Sequence, residues 1–405
     1  MGASLPKTIE LDALGLDEGA LLLVRRALAA VAPGGVLAVR GRAPGWDHHL
    51  AAWCRQQGHD VRWQADADGR PLALVTRGTL AEGRWRGALS TGASGLARGE
   101  LPAPLAPAEW GLAARGATVE AGSPPFAFAL HRRDELWATT AAELYAQALA
   151  AQWDPAQAID WAAPFELPPD IEAAVVQVMT YLIENENAAL LVPARHLGQI
   201  HPYYREVLQL LALQCADEAR HVEVFTRRAV LRGHAPALST AGGQASLHTL
   251  FEAADFSQAT FLLSVLGEGS FVNLLNFLHE HAPDPVTRQI ARLTARDEAR
   301  HVAFGMAHLE HRLSVQPDYQ VRLRNAIERR HDELAATAGL NEEVFDALVL
   351  LAAGTLDASA VARGHAAVQQ LKREMAAGRR ARLSRLGFDA ADAQRLADLH
   401  TRNFM

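Results

Sequence analysis

Apolar residues recur at three- and four-residue spacing in four long runs between Pro168 and Arg312, which is the periodicity of helices with one buried face. The first run opens at Pro168-Pro169-Asp170 and reaches about Val192, ahead of Pro193. The second extends from about Tyr203 to Arg232, and Gly233 to Ser246 reads as a loop. The third extends from about Leu247 to His281, Pro283-Asp284-Pro285 turns it, and the fourth extends from about Val286 to Arg312. The loop after the second run, fully extended, reaches roughly 45 Å. That is enough to carry the chain from one end of a bundle to the other, so the pattern predicts an all-α four-helix bundle with one long crossover.

The pattern differs on either side of the bundle. Residues 1–78 alternate short strand signals with two helical stretches, Glu18 to about Ala32 behind an Asp17 cap and Trp46 to Gly58. Pro33-Gly34-Gly35 stops the first, and two strands, Asp60 to Gln64 and Pro71 to Thr76, flank an Asp66-Ala67-Asp68-Gly69 turn. The predicted order is βαβαββ, a small two-layer α/β domain. Residues 79–136 are rich in Gly, Ala, Pro and Arg, lack periodicity and read as linker. Helix resumes near Glu135, so the bundle domain is expected over 137–312. Residues 313–405 form a helical extension that a minimal bundle does not need, with helices from Tyr319, Glu342, Ser359 and Asp389. These helices are expected to cover a pocket or form a homodimer contact.

Composition narrows the function classes. The chain has 405 residues, 49% hydrophobic and 21% charged, and a net charge of -7, ordinary for a globular protein and without the basic surplus of a nucleic-acid binder. No apolar run reaches the roughly 18 to 20 residues of a membrane span, and no basic segment followed by an apolar core suggests a secretory signal. A cytoplasmic protein without membrane or nucleic-acid partners is therefore the expectation. Two cysteines, Cys54 and Cys215, are too few for a disulfide scaffold or a zinc cluster.

The chemistry lies in a repeated word. Asp217-Glu218-Ala219-Arg220-His221 returns as Asp297-Glu298-Ala299-Arg300-His301, both within helical runs. Glu and His at i and i+3 leave one face of a helix together. Residues at the same level of an antiparallel helix pair are equidistant from the turn. Glu268 and Glu298 are centred on Pro283, and Glu186 and Glu218 on Pro202, so each ExxH faces a glutamate across its hairpin. Glu268 lies among Phe261, Val265, Phe271, Val272 and Leu275, where an unpaired carboxylate is costly. Gly267 and Gly269 flank it, which suggests close approach of another group or a distorted turn. On the first helix Glu186 shares the apolar stripe of Met179, Leu182 and Leu190, whereas Glu184 shares a face with Gln177 and Asn187. Glu186 is preferred, with Glu184 as the alternative.

Glu…ExxH…Glu…ExxH over residues 137–312, with Arg300-His301-Val302-Ala303-Phe304-Gly305 in the second copy, resembles the ferritin-like non-heme di-iron superfamily, closer to its oxygenase and oxidase branches than to iron storage. The resemblance implies Glu186, Glu218, His221, Glu268, Glu298 and His301 as ligands to two iron ions, a donor set that also accepts manganese. It places Asp217 and Asp297 behind the ligands, each taking the N–H of a ligand imidazole, with Arg220 and Arg300 as their partners. His308, one heptad beyond His301, Cys215, Tyr181 and Tyr203 are weaker candidates for the pocket.

Residues 1–78 resemble the TusA-like sulfur-carrier family in Leu11-Asp12-Ala13-Leu14-Gly15-Leu16, Ala32-Pro33-Gly34-Gly35-Val36-Leu37 and Trp53-Cys54 with Gly58-His59. The family's reactive Cys-Pro is replaced by Asp17-Glu18-Gly19-Ala20, so the domain reads as a scaffold without the nucleophile. Together the resemblances imply an oxidoreductase that activates O2 and acts on a small organic substrate by oxygenation, desaturation or oxidative cleavage. With no flavin or nicotinamide fingerprint, the electrons come from a separate reductase or from the substrate. An iron-handling ferroxidase or peroxide scavenger, and a metal-free scaffold, are the competing classes.

Overall fold

The computed structural model describes residues 7–66, 68–80, 85–96, 100–335 and 342–401. The chain divides into two compact units, Met1–Thr91 with Gly116–Pro124, and Gly92–Arg115 with Pro125–Met405.

The first unit has the βαβαββ order. Strand β1 (Lys7–Glu10) pairs in parallel with β2 (Val36–Arg40), β2 pairs antiparallel with β4 (Pro71–Thr76), and β4 with β3 (Asp60–Ala65), giving the sheet order β1-β2-β4-β3. In β4 only Ala73 and Val75 are fully buried, the period of two expected of a sheet covered on one face. Against that face lie Val24 and Leu28 of α1 (Leu21–Ala29) and Leu50 and Cys54 of α2 (Trp46–Gln56). The first helical stretch starts earlier than Asp17. Its first turn, Leu16–Ala20, is a π-turn in which the Glu18 carboxylate accepts from Gly15 N–H at 3.1 Å, and Gly19 takes φ 117°. Cys54 is fully buried, and burial pushes its thiol up to about 11, the environment of a packing residue.

The stretch read as linker is divided between the units: it adds a two-stranded sheet, Leu89–Ser90 with Thr118–Val119, to the first, and its other described residues belong largely to the second. Its glycines and prolines keep it irregular, but its backbone is tied down by side chains from the bundle and from the stretch itself. Tyr204 Oη donates to Ala103 O at 3.0 Å, and Arg133 donates to Pro102 O at 2.6 Å. Buried Arg115 pairs with Glu206 at 2.7 Å. Helix α3 (Ala141–Ala150) follows and packs on the bundle.

The bundle consists of α4 (Pro169–Leu197), α5 (Arg205–Val230), α7 (Phe256–His281) and α8 (Pro285–Val315). Two expectations are corrected here. Helix α4 does not stop before Pro193 but carries it. Proline removes one backbone hydrogen bond, yet Val192, Pro193 and His196 are all buried, and that packing sustains the last turns. The third run is not one helix from Leu247. Helix α6 (Ala241–Phe251) starts inside the expected loop, where Thr240 Oγ1 accepts from Gly243 N–H at 3.0 Å. The chain then breaks, and Asp255 caps α7 by accepting from Gln258 N–H at 2.9 Å. Within α7, residues Phe261–Glu268 form a π-helical segment that ends on Glu268. Helix α7 is also long and apolar enough to cross a membrane, which corrects the expectation that no run reaches that length. In the protein 83% of its most apolar window is buried, so it forms the centre of the core.

Away from the repeated words the helices are locked by a buried charge cluster. Arg228 of α5 pairs with Glu172 of α4 at 2.6 Å and with Asp284, the N-cap of α8, at 2.9 Å, and donates to Thr287 Oγ1 at 3.0 Å. Beyond the bundle, α9 (Tyr319–Ala335), α10 (Glu342–Ala353), α11 (Ala358–Arg385) and α12 (Ala390–Thr401) wrap it, with α10 against α4 and α11 against α7. Gly269 has its explanation there: a Cβ would lie 2.5 Å from the Arg382 guanidinium carbon.

Candidate metal centre

The repeated words fall on α5 and α8, which pack against each other, and their level partners on α4 and α7. Glu186, Glu218, His221 and Glu298 offer ligand atoms within 4.8 Å of one another, and so do Glu218, Glu268, Glu298 and His301. All six are at least 96% buried. Glu218 and Glu298 belong to both groups, so the cluster is two overlapping positions. Each adds one glutamate and one histidine of its own. Glu184 is only partly buried and joins neither group.

Both imidazoles point the same way. His221 Nδ1 lies 3.0 Å from Glu218 and 3.2 Å from Glu298, and His301 Nδ1 lies 2.9 Å from Glu218 and 3.4 Å from Glu298. Their Nε2 atoms face outward to aspartates, but across the repeat. His221 meets Asp297 at 3.2 Å, and His301 meets Asp217 at 3.4 Å. Each aspartate thus accepts the Nε2–H of the other word's histidine and turns its Nδ1 toward the carboxylates. Arg220 donates to Asp217 and, at 2.9 Å, to Asp297, while Arg300 donates to Asp297 and, at 3.5 Å, to Asp217. The two aspartates and two arginines neutralise one another beside the cluster.

Four further groups complete the surroundings without any local sequence signal. Gln152 Nε2 donates to Asp217 and Trp153 Nε1 to Asp297, both at 2.8 Å, from just beyond α3. Gln214 Nε2 donates to Glu268 Oε1 at 3.2 Å. Arg330 of α9, 3% exposed, lines a cavity with Glu186, Glu268 and Glu298. Each contact joins residues far apart in the chain, so only burial could have singled these groups out.

The electrostatics are those of a site with too many acids. Burial, then the charges of Glu298 and Glu218, pushes Glu186 well above the usual carboxylate range, and burial with Glu298 does the same to Glu268. Burial opposes charge on Glu218 too, but the His301 and His221 imidazoles win and hold it low. His221 and His301 are raised well above an ordinary imidazole despite burial, by their aspartate and glutamate partners. Glu186 Oε1, Glu268 Oε2 and both Glu298 oxygens are buried and have no hydrogen-bond partner. Orphaned carboxylate oxygens are rare in a core unless a cation takes them. The donor set of hard oxygens and imidazole nitrogen suits iron or manganese.

The other sequence candidates belong to neither group. His308 is buried between Ser257 Oγ at 2.8 Å and Trp137 O at 3.0 Å, a structural pairing, and burial lowers it to about 4. Tyr203 is held by Ala103 N–H at 2.9 Å. Tyr181 stacks near Phe271, ring centroids 5.9 Å apart. Cys215 packs toward Leu190 O, and burial raises its thiol to about 11.

Comparison with protein-family models and with curated proteins finds no match. Among solved structures the chain is similar to a protein with aldehyde deformylating oxidase activity from Synechococcus, at 16% identity over 59% of this chain and 98% of that one, with a TM-score of 0.42. It is also similar to an R2-like ligand-binding oxidase with a Mn/Fe cofactor, at 19% identity over 64% and 90% with a TM-score of 0.41. A third is the R2-like ligand-binding oxidase of Sulfolobus acidocaldarius, at 14% identity over 59% and 90% with a TM-score of 0.41.

Proposed function

We propose that this protein is a di-metal oxidoreductase, with two iron ions as the expected cofactor, that uses O2 to oxidise a small organic substrate. The observation that carries this reading is the pair of overlapping four-residue groups with orphaned carboxylate oxygens in the core of a four-helix bundle. A glutamate from each of two helices and a Glu-x-x-His from each of the other two is the arrangement of ferritin-like di-metal carboxylate sites. Glu186 and His221 would hold one ion, Glu268 and His301 the other, and Glu218 and Glu298 would be shared. Four carboxylates and two divalent ions balance in charge, with both histidines neutral. When bound, the iron pair supplies electrons to O2.

The chain's own residues do the rest. Asp297 and Asp217 keep the Nε2 protons of His221 and His301, which orients both rings and raises their basicity. Gln214 holds one oxygen of Glu268 and leaves the other available. Leu262, Leu263 and Phe271 exclude water from the neighbouring cavity. That small cavity, walled mainly by apolar side chains and ending on Glu186, Glu268 and Glu298, favours an organic substrate over iron storage. The electron donor in this reading is a separate reductase or the substrate. In the N-terminal unit, the βαβαββ order and the buried Cys54 support a TusA-like scaffold that has lost its nucleophile.

The test is Fe(II) oxidation in air. Consumption of Fe(II) that stops near the number of ions the site holds supports an enzyme awaiting substrate. Sustained oxidation of a large excess of iron would assign the protein to iron handling instead.

A further inference from the structure

The π-helix is rare, with hydrogen bonds that span five residues in place of four, so the segment Phe261–Glu268 competes with an ordinary α-helix over the same residues. Its end is marked by Gly269 N–H, which reaches back to Ser264 O. Two arginines of α11 meet that end. Arg382 lays its guanidinium on Gly269, where a Cβ would lie 2.5 Å from Cζ, 2.6 Å from Nε and 2.7 Å from Nη2. Gly378, one turn earlier on α11, also leaves room, since a Cβ there would lie 3.1 Å from Nη1. Gly269 has ordinary helical backbone, φ −60° and ψ −25°, so its missing side chain serves the contact and not the conformation. Arg379, 1% exposed, donates to Ser270 Oγ at 3.0 Å. Ser270 Oγ donates in turn to the Leu266 carbonyl, inside the π-helical segment, at 2.8 Å.

Arg382 is not held by an anion. Its Nε and Nη2 are buried without a hydrogen-bond partner, and no carboxylate pairs with it among the described residues. Burial lowers its guanidinium only to about 10, so the charge persists at neutral pH. A buried cation without an anion and a glycine inside a helix both cost stability. What they share is their place. Leu266, Gly269 and Ser270 bracket Glu268, whose Oε1 is held on the cluster side by Gln214 at 3.2 Å.

Resting on the di-metal reading, we propose that Arg382 and Arg379 are positioning residues: they hold the end of the π-helical segment in register and so aim Glu268 at the metal position it forms with His301. An α-helix over the same residues would turn Glu268 by about 100° relative to the start of α7, one residue's share of a turn, and take it off the cluster. The two contacts act at different points. The guanidinium of Arg382 fills the slot that a side chain at position 269 would occupy. Arg379, through Ser270, engages the Leu266 carbonyl, which in an α-helix would bond the Ser270 N–H. The C-terminal extension thereby reaches the site without touching a metal ligand's side chain.

The test applies two readouts to Arg382→Met, Gly269→Ala, their double variant and Ser270→Ala. Iron titration followed by Mössbauer spectra reads the two metal positions separately, and amide hydrogen exchange of the metal-free protein reads the segment itself. Each single variant is expected to weaken the Glu268–His301 position by ~10- to 100-fold, the usual effect of losing a group that orients a ligand, with the Glu186–His221 position unchanged. Each is also expected to lose amide protection selectively over residues 261–270. The double variant should lose no more than the worse single, because both changes break one contact. Equal weakening of both positions, or additive losses in the double variant, would mean general loosening and overturn the proposal. Wild-type behaviour of Arg382→Met and Gly269→Ala would overturn it too. Should Arg382→Met not fold, Gly269→Ala and Ser270→Ala still decide. A wild-type chain that holds no iron, with exchange over 261–270 altered in the variants, would keep the brace on the segment and remove the di-metal reading. Two irons in the wild type, with neither exchange nor the Glu268–His301 position moved by the variants, would do the reverse.

Discussion

His221 hands its Nε2 to Asp297, on the other copy of the repeated word, and not to Asp217, four residues before it on its own helix. His301 does the same with Asp217. The crossing couples the two halves of the site, because each imidazole is oriented by the helix that supplies the other. It also makes a positional prediction. Asp297→Asn should weaken the metal position built from Glu186 and His221 by roughly 10- to 100-fold, and Asp217→Asn the position built from Glu268 and His301. Mössbauer spectra of the iron-loaded variants, which resolve the two ions, check this. Each variant affecting the histidine of its own helix would contradict the crossed arrangement.

Metal loading should release protons. In the metal-free cluster Glu186, Glu268, His221 and His301 are all shifted toward their protonated forms. Ligation needs the deprotonated carboxylates and neutral imidazoles, so loading should release protons, and affinity should fall as pH falls. Loading in weakly buffered solution with a pH indicator measures the count. Loading without proton release would mean that the metal binds elsewhere.

The Arg228 cluster is a structural lock, separate from the chemistry. Arg228→Met leaves the carboxylates of Glu172 and Asp284 buried without their cation. Removing one partner of a buried pair typically costs about 3–5 kcal/mol. Denaturant unfolding of the metal-free protein should show a loss of that order. A loss below about 1 kcal/mol would mean that the three helices do not depend on this lock.

His308 should make stability depend on pH. Burial lowers it from 6.5 to about 4, with the Trp137 carbonyl partly offsetting, and Arg312 and His311 adding to the lowering. Because the folded value lies below the unfolded one, the unfolded chain takes up the proton first as pH falls. Stability from the neutral ring is full above about pH 6.5 and is lost toward pH 4, roughly 3 kcal/mol in all. His308→Gln, compared with wild type on the same metal-free preparation, should show a shallower fall over that window. Parallel curves would contradict the assignment.

The helices and the six clustered side chains were legible because each follows from a short-range rule. The ExxH words need only helical period, and Glu186 and Glu268 need only the turns at Pro202 and Pro283 and an apolar stripe. Features set by lateral packing were not legible. The crossed aspartates depend on the offset between α5 and α8, and the π-helical segment before Glu268 on how α7 seats in the core. Pro193 argued locally for a helix end that tertiary burial overrode. Arg330 follows Arg329 in a polar stretch, Glu328-Arg329-Arg330-His331, that reads as a solvated face until α9 is docked on the bundle.

The most direct measurement of the central claim is iron content per chain after anaerobic Fe(II) loading and desalting, in wild type and in Glu218→Ala, Glu298→Ala and the double variant. The overlapping groups predict about two irons for wild type. Loss of either shared glutamate should impair both positions, and the double variant should hold almost none. A wild-type chain that folds normally yet retains no iron or manganese, or a double variant that still binds two ions, would contradict the di-metal site.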